Sequence, residues 1–172
     1  MRIEQAELYR YTLPLVRPLQ FRNRSLEERE GLLLRLVSEQ GQEAWGEAAP
    51  LPGFSPEPLD RAELELAALV ERLRGYRFAD SYAAMEGAPL IRMSGACSVS
   101  FAVEACYFGL QAAAAGLPLH RYLGATEDKL PLCALLAGTP EAILEKARLI
   151  ADEGYSAAKL KVGTLSVAQD ID

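Results

Sequence analysis

One histidine, His120, and three cysteines, Cys97, Cys106 and Cys133, are all the imidazole and thiolate ligands this chain has, and no two cysteines stand in a CxxC pair. That argues against a zinc site. The cysteines are odd in number and have apolar or small neighbours, so the expectation is buried core thiols in a reducing cytoplasm. Positive charge is also short: 18 basic residues face 24 acidic ones, for a net charge of −6. A nucleic-acid partner would want a basic face, and an anionic membrane surface would want the same. A small anionic substrate needs only a local basic pocket and stays open. Long apolar runs are missing too. The most apolar stretch, around Ala112 to Leu119, contains glycine and proline and is too short to span a bilayer. The N-terminus has no apolar core of signal-peptide type. These absences point to a cytoplasmic protein with no nucleic acid and no membrane among its partners. At 172 residues, half of them hydrophobic, it has room for one good domain, or one small domain and part of another.

The apolar periodicity organises the chain. Residues 3–13 alternate loosely and predict a strand ending at Pro14. Residues 15–30, with Arg17, Arg22, Asn23, Arg24 and Arg29, read as a basic loop. Gly31 to Val37 and Gln42 to Ala48 predict two more strands with a turn at Gly41, making a three-stranded antiparallel meander. The segment Pro50-Leu51-Pro52-Gly53-Phe54-Ser55-Pro56 is stiffened by its prolines. Glu57 to Arg74 has helical spacing, with Leu59, Ala62, Leu66, Leu69, Val70 and Leu73 on one stripe. Residues 75–95 read as loop with a short helix. Ser98 to Ala115 predicts a buried, alanine-rich helix that Gly116 ends, and Leu119 to Leu123 a helical turn. After Gly124 the pattern becomes strand (Leu130–Ala137), helix (Ala142–Asp152, Thr139 as N-cap and Pro140 at its first position) and strand (Ser156–Val162). Such a βαβ order belongs to a parallel sheet. The domain boundary is expected near 125–129, giving 1–128 and 129–172.

The last strand carries the chemistry. In Ala158-Lys159-Leu160-Lys161-Val162-Gly163-Thr164, alternation puts Lys159 and Lys161 on one face and Ala158, Leu160 and Val162 on the other. Two ammonium groups side by side disfavour each other's charge, which favours the neutral amine a base requires. The bland alternative is a half-solvated strand with lysines outward.

Taken together, these residues resemble the enolase superfamily, and within it the o-succinylbenzoate synthase family of the menaquinone pathway. Ala114-Ala115-Gly116-Leu117-Pro118-Leu119-His120-Arg121-Tyr122-Leu123-Gly124 is similar to the end-of-cap signature. Ala44-Trp45-Gly46-Glu47-Ala48-Ala49-Pro50-Leu51-Pro52-Gly53-Phe54-Ser55 looks like the loop that closes over the substrate. Arg22-Asn23-Arg24 with Arg29-Glu30-Gly31-Leu32 is similar to a second mobile loop, and Lys159-Leu160-Lys161 to the second barrel strand. The implied fold class is an α+β capping domain followed by the first β-α-β of a truncated (β/α) barrel.

The resemblance implies a carbon–oxygen lyase. A base removes the proton α to a carboxylate, a divalent metal (normally Mg²⁺) stabilises the ene-diolate, and hydroxide leaves to give o-succinylbenzoate. It implies Lys161 as the base and then the acid, and Lys159 as its partner. It places Leu51, Gly53, Phe54 and Ser55 against the substrate, and offers Arg22 and Arg24 for the succinyl carboxylate. The metal ligands belong to later barrel strands, so no acidic residue of this sequence is assigned to the metal and the 172 residues alone are expected to be inactive. Either a missing C-terminal half or a homo-oligomer is the expected partner. An N-acylamino acid racemase or dipeptide epimerase of the same superfamily shares the lysine pair, and a non-catalytic interaction module is the reading from another class.

Overall fold

The computed structural model describes residues 1–21, 24–79 and 95–163. They form two compact units, Met1–Ala125 and Thr126–Asp172.

The first unit begins with a long hairpin. Strand β1 spans Ile3–Phe21 and β2 spans Arg24–Ser38, antiparallel from Ile3 opposite Ser38 to Phe21 opposite Arg24. The basic loop expected over 15–30 is therefore strand wherever it is described. Leu13, Leu15, Val16, Leu19 and Phe21 are strand formers, and the prolines that argued against a strand sit where a sheet tolerates them. The sheet order is β1-β2-β3, so β1 is an edge. Pro14 and Pro18 flank a break in register: β1 runs from Pro14 to Leu19 while β2 moves only from Glu28 to Leu26. Proline is admitted at edges and bulges because it has no ladder N–H to give.

Strand β3, Glu43–Ala48, pairs with β2 from Val37 opposite Glu43 to Leu32 opposite Ala48. Alternation then sorts the sheet's faces. Leu32, Leu34 and Leu36 of β2 and Ala44, Gly46 and Ala48 of β3 point inward and are buried, while Glu43, Trp45 and Glu47 point out. Two helices cover the inner face. Helix α1, Leu59–Leu73, buries Ala62, Leu66, Leu69, Val70 and Leu73. Helix α2, Cys97–Ala114, buries Val99, Ala102, Val103, Cys106, Tyr107, Leu110 and Ala112. Of the cysteines, Cys106 alone is buried, its Sγ toward the Leu34 carbonyl at 3.4 Å, and burial pushes the thiol up to about 12. Cys97 and Cys133 are exposed, which corrects the expectation that all three are core. A short helix α3, Leu119–Tyr122, comes next; Gly116 at φ +67° ends α2 as its sequence suggests.

Backbone contact sets how close α2 comes to the sheet. A Cβ added to Gly46 would lie 1.9 Å from the Ala102 carbonyl oxygen, and one added to Gly109 would lie 2.8 Å from the Ala44 Cβ. Helix and strand thus interlock through positions with little or no side chain.

The second unit holds β4 (Ala134–Leu136), helix α4 (Pro140–Asp152) and β5 (Ala158–Leu160). The strands are parallel, with Ala134 opposite Ala158 and Leu136 opposite Leu160. Thr139 accepts from the Ala142 N–H at 3.4 Å and Pro140 opens the helix, as the sequence predicts. Ala134, Leu136 and Ile150 form its small core. Each strand is three residues, shorter than the apolar runs that predict it. Among the described residues no helix is long and apolar enough to cross a membrane.

Gly46→Ala should force helix and strand apart. The expected loss is about 3 kcal/mol, a fall in Tm of roughly 6–12 °C, read by thermal unfolding. Gly41→Ala, at a turn with φ +83° and open space around it, should cost only about 1 kcal/mol of backbone strain.

Candidate functional site

The substrate-loop candidates lie after β3. The chain leaves the sheet at Ala48, passes buried Pro50, and folds into a tight turn. The N–H groups of Phe54 and Ser55 donate to the Leu51 carbonyl at 3.0 and 2.9 Å, and Gly53 takes φ +83°. The Ser55 Oγ accepts from the Leu51 N–H at 2.8 Å. Ser55 is thus a turn-closing residue whatever else it does, and Gly53 holds a left-handed backbone that other residues reach only with strain. Phe54, at 58%, and Pro52 are exposed in the turn, and Leu51 is half-buried. The loop borders a cleft of about 300 Å³ whose walls include Arg29, Pro52, Gly53, Ser55 and Glu57.

The loop's anchor is Arg29 on β2. Its guanidinium donates to the Pro50 carbonyl at 3.1 Å and to the Ala49 carbonyl. Sequence reasoning grouped Arg29 with the solvated loop arginines and missed this. The signal available was its place two residues before the apolar run of β2, where a side chain meets the next strand. Glu57, also unremarked, is buried at the far end of the loop, and its Oε1 accepts from the Ser98 N–H at 2.9 Å, in the first turn of α2. A carboxylate there meets an otherwise unpaired helix N–H and the positive end of the helix dipole. No spacing rule links residues 57 and 98.

The Trp45-Gly46-Glu47 part of the expected closing loop lies in the sheet, which corrects that extent: β3 runs to Ala48 and only the residues after it form loop. Trp45 is on the outer face, its Nε1 donating to Glu43 at 2.9 Å and its ring 5.9 Å from the Arg35 guanidinium. Tyr9 lies 5.6 Å from that ring. Arg35 pairs with Glu7 at 2.7 Å and with Glu43. Glu47 accepts from the Tyr11 hydroxyl. The Tyr11 ring crosses over Gly31, where a Cβ would meet its hydroxyl at 2.3 Å. Burial first, and then the Glu47 hydrogen bond, push the Tyr11 phenol up to about 12.

The lysine pair belongs to the second unit. Lys159 sits on β5 opposite Leu135, and Lys161 comes just after the strand, its N–H donating to the Leu136 carbonyl at 3.0 Å. Both lysines are exposed, and so are Leu160 at 48% and Val162 at 63%. Both faces of β5 are thus open, and exposure does not separate a catalytic face from a packed one. Arg22 lies outside the described residues. Arg24 begins β2, opposite Phe21; its side chain is likewise outside them. His120 is exposed on α3. No cluster of three or more His, Cys, Asp or Glu that could hold a metal is present among the described residues. The described side chains therefore do not fit a Mg²⁺ site of their own.

Residues 3–114 match the family described as MenC, N-terminal domain. The chain is 37% identical over 168 residues to the o-succinylbenzoate synthase of Pectobacterium atrosepticum, covering 98% of this chain and 44% of that protein. It is 33% identical over 168 residues to the synthase of Edwardsiella ictaluri, with the same coverage. It thus spans a little under half the length of these curated relatives. Among solved structures it is similar to the L-Ala-D/L-Glu epimerase of Bacillus subtilis in a substrate-liganded complex, with TM-score 0.86 and 28% identity over 99% of this chain and 48% of that one. It is also similar to a dipeptide epimerase of Methylococcus capsulatus complexed with Mg and the dipeptide L-Arg-D-Lys, with TM-score 0.82 and 25% identity over the same shares.

The outer-face charges give a test. The Arg35 hydrogen bond is the main cause holding the Glu7 and Glu43 carboxyls below their ordinary 4.5. A carboxyl depressed by folding adds stability above its unfolded value, and that stability is lost as pH falls through the lower folded value. Carboxyl NMR titration should find both midpoints below 4.5, and Arg35→Gln should return both toward 4.5. Ordinary values in the wild type would contradict the pairing.

Proposed function

Because this chain belongs to the MenC family of o-succinylbenzoate synthases in the enolase superfamily, we propose that the full-length protein dehydrates a succinyl-bearing, hydroxylated cyclohexadiene carboxylate to o-succinylbenzoate in menaquinone biosynthesis. The observation that carries the chemistry is the placement of Lys161 at the carboxyl end of β5 in a parallel β-α-β unit. Parallel α/β folds, closed barrels above all, keep their reacting groups at that end of the strands.

In this proposal the β-α-β unit is the start of a (β/α) barrel and the first unit is its cap. The neutral Lys161 amine takes the proton α to the carboxylate and becomes an ammonium. The electron pair left on that carbon moves inward as the C–O bond breaks, and the ammonium returns its proton to the departing oxygen. The elements of water are lost and the ring becomes aromatic. Lys159, two residues earlier, would be the partner of Lys161 and hold the substrate anion. Leu51, Gly53, Phe54 and Ser55 would close over the ring, with Phe54 supplying exposed apolar surface, and Arg22 and Arg24 would take the succinyl carboxylate. Mg²⁺ is the proposed cofactor, on the strength of the similar epimerase complexed with Mg; its ligands are not drawn from the described residues. The three free thiols support a cytoplasmic setting.

Dipeptide epimerisation is the second reading, favoured by the epimerases among the similar structures. It requires base groups on both faces of the α carbon. The synthase is preferred because the relatives with 33–37% identity are synthases.

In the full-length protein, Lys161→Ala should lower kcat by about 10²–10⁴-fold or more, the range for a positioned general base, with circular dichroism unchanged. Lys161→Arg should fail equally, since a guanidinium does not deprotonate. Near-native kcat in either variant would refute the base assignment.

A further inference from the structure

We infer that Arg29 is a positioning residue for the substrate loop: by holding the Ala49 and Pro50 carbonyls, it fixes the aim of Leu51–Ser55 from the adjacent strand. The inference rests on the proposal that this loop faces substrate.

Three observations carry it. Arg29 sits on β2 opposite Leu13, within the hairpin, and reaches across to two consecutive carbonyls where the loop leaves β3. A guanidinium is planar and presents its donors in a fixed fork, so two bonds from one group set both position and direction. The loop is also held within itself and at its far end: Ser55 closes the turn on Leu51, and Glu57 binds the start of α2. Arg29 adds a side-chain hold at the loop's root, on the Ala49 and Pro50 carbonyls.

A lysine cannot reproduce the fork, because its single ammonium cannot meet both carbonyls in the same directed geometry. The full-length protein with Arg29→Ala and Arg29→Lys separates positioning from mere stability. Expected for Arg29→Ala is faster amide hydrogen exchange over residues 51–55, at least fivefold, with KM raised tenfold or more and kcat changed less than KM. Arg29→Lys, which keeps charge and most of the volume, should fold normally and recover KM only in part. Full recovery by lysine would show that charge alone suffices and overturn the proposal. Unchanged exchange over 51–55 in Arg29→Ala would overturn it as well. Faster exchange with unchanged KM would also sink it, showing a clamp on a loop that does not meet substrate. None of these outcomes bears on Lys161-dependent turnover in the wild type, whose absence is the separate failure of the functional reading.

Discussion

The first unit depends on how closely helix α2 lies against strand β3. Gly46 admits the Ala102 carbonyl, and Gly109 admits the Ala44 side chain. No side chain at position 46 leaves that approach possible, so the seat of β3 is fixed by backbone sterics. The loop after β3 inherits that precision. It begins where the strand is held, is pinned by Arg29, turns back on itself through Ser55, and returns through Glu57 to the first turn of the same helix. Strand, loop and helix thus form a closed mechanical circuit, and Phe54 is the aromatic side chain it exposes.

Charge on this unit is arranged for order more than for attraction. Arg35 lies between Glu7 and Glu43 and under Trp45, and Arg10 bridges Glu30 of β2 and Glu63 of α1 at 3.0 and 2.6 Å. Each exposed pair adds little by itself. The Arg35 group lies on the sheet's outer face, whereas the Arg10 group ties β1 and β2 to α1. The second unit contrasts with this. Its core is three buried residues with two half-buried ones, and Leu132, Leu144 and Leu160 remain exposed, so β5 holds its lysines on a strand with one described neighbour.

Much of this was legible in the sequence for identifiable reasons. The α1 stripe, the Thr139-Pro140 helix start and the glycine ending α2 are local signals, and each has its local physical cause. The long hairpin was not legible, because Pro14 and Pro18 signal a break unless it is known that β1 is an edge with an irregular register there. The burial of Cys106 against the exposure of Cys97 and Cys133 was hidden as well, since all three have similar neighbours in sequence. Family membership was legible because the Trp-Gly-Glu and Leu-Pro-Gly-Phe-Ser residues are held by specific geometry: Gly46 by α2, Glu47 by Tyr11, Gly53 by a positive φ. Those constraints are structural, so the residues that identify the family are only partly those that would touch substrate. Arg29 and Glu57 escaped notice because their partners are backbone groups 20 to 41 residues away, and no pattern along the chain reports such a partner.

In the proposed reaction a lysine amine of the full-length protein removes an α proton and hydroxide is expelled. The most direct measurement uses ultraviolet absorbance and proton NMR to monitor its action with Mg²⁺ on the hydroxylated cyclohexadiene carboxylate and, in parallel, on dipeptides and N-acylamino acids. Appearance of the aromatic product from the first substrate is the expected result. Racemisation or epimerisation without any aromatic product would contradict it.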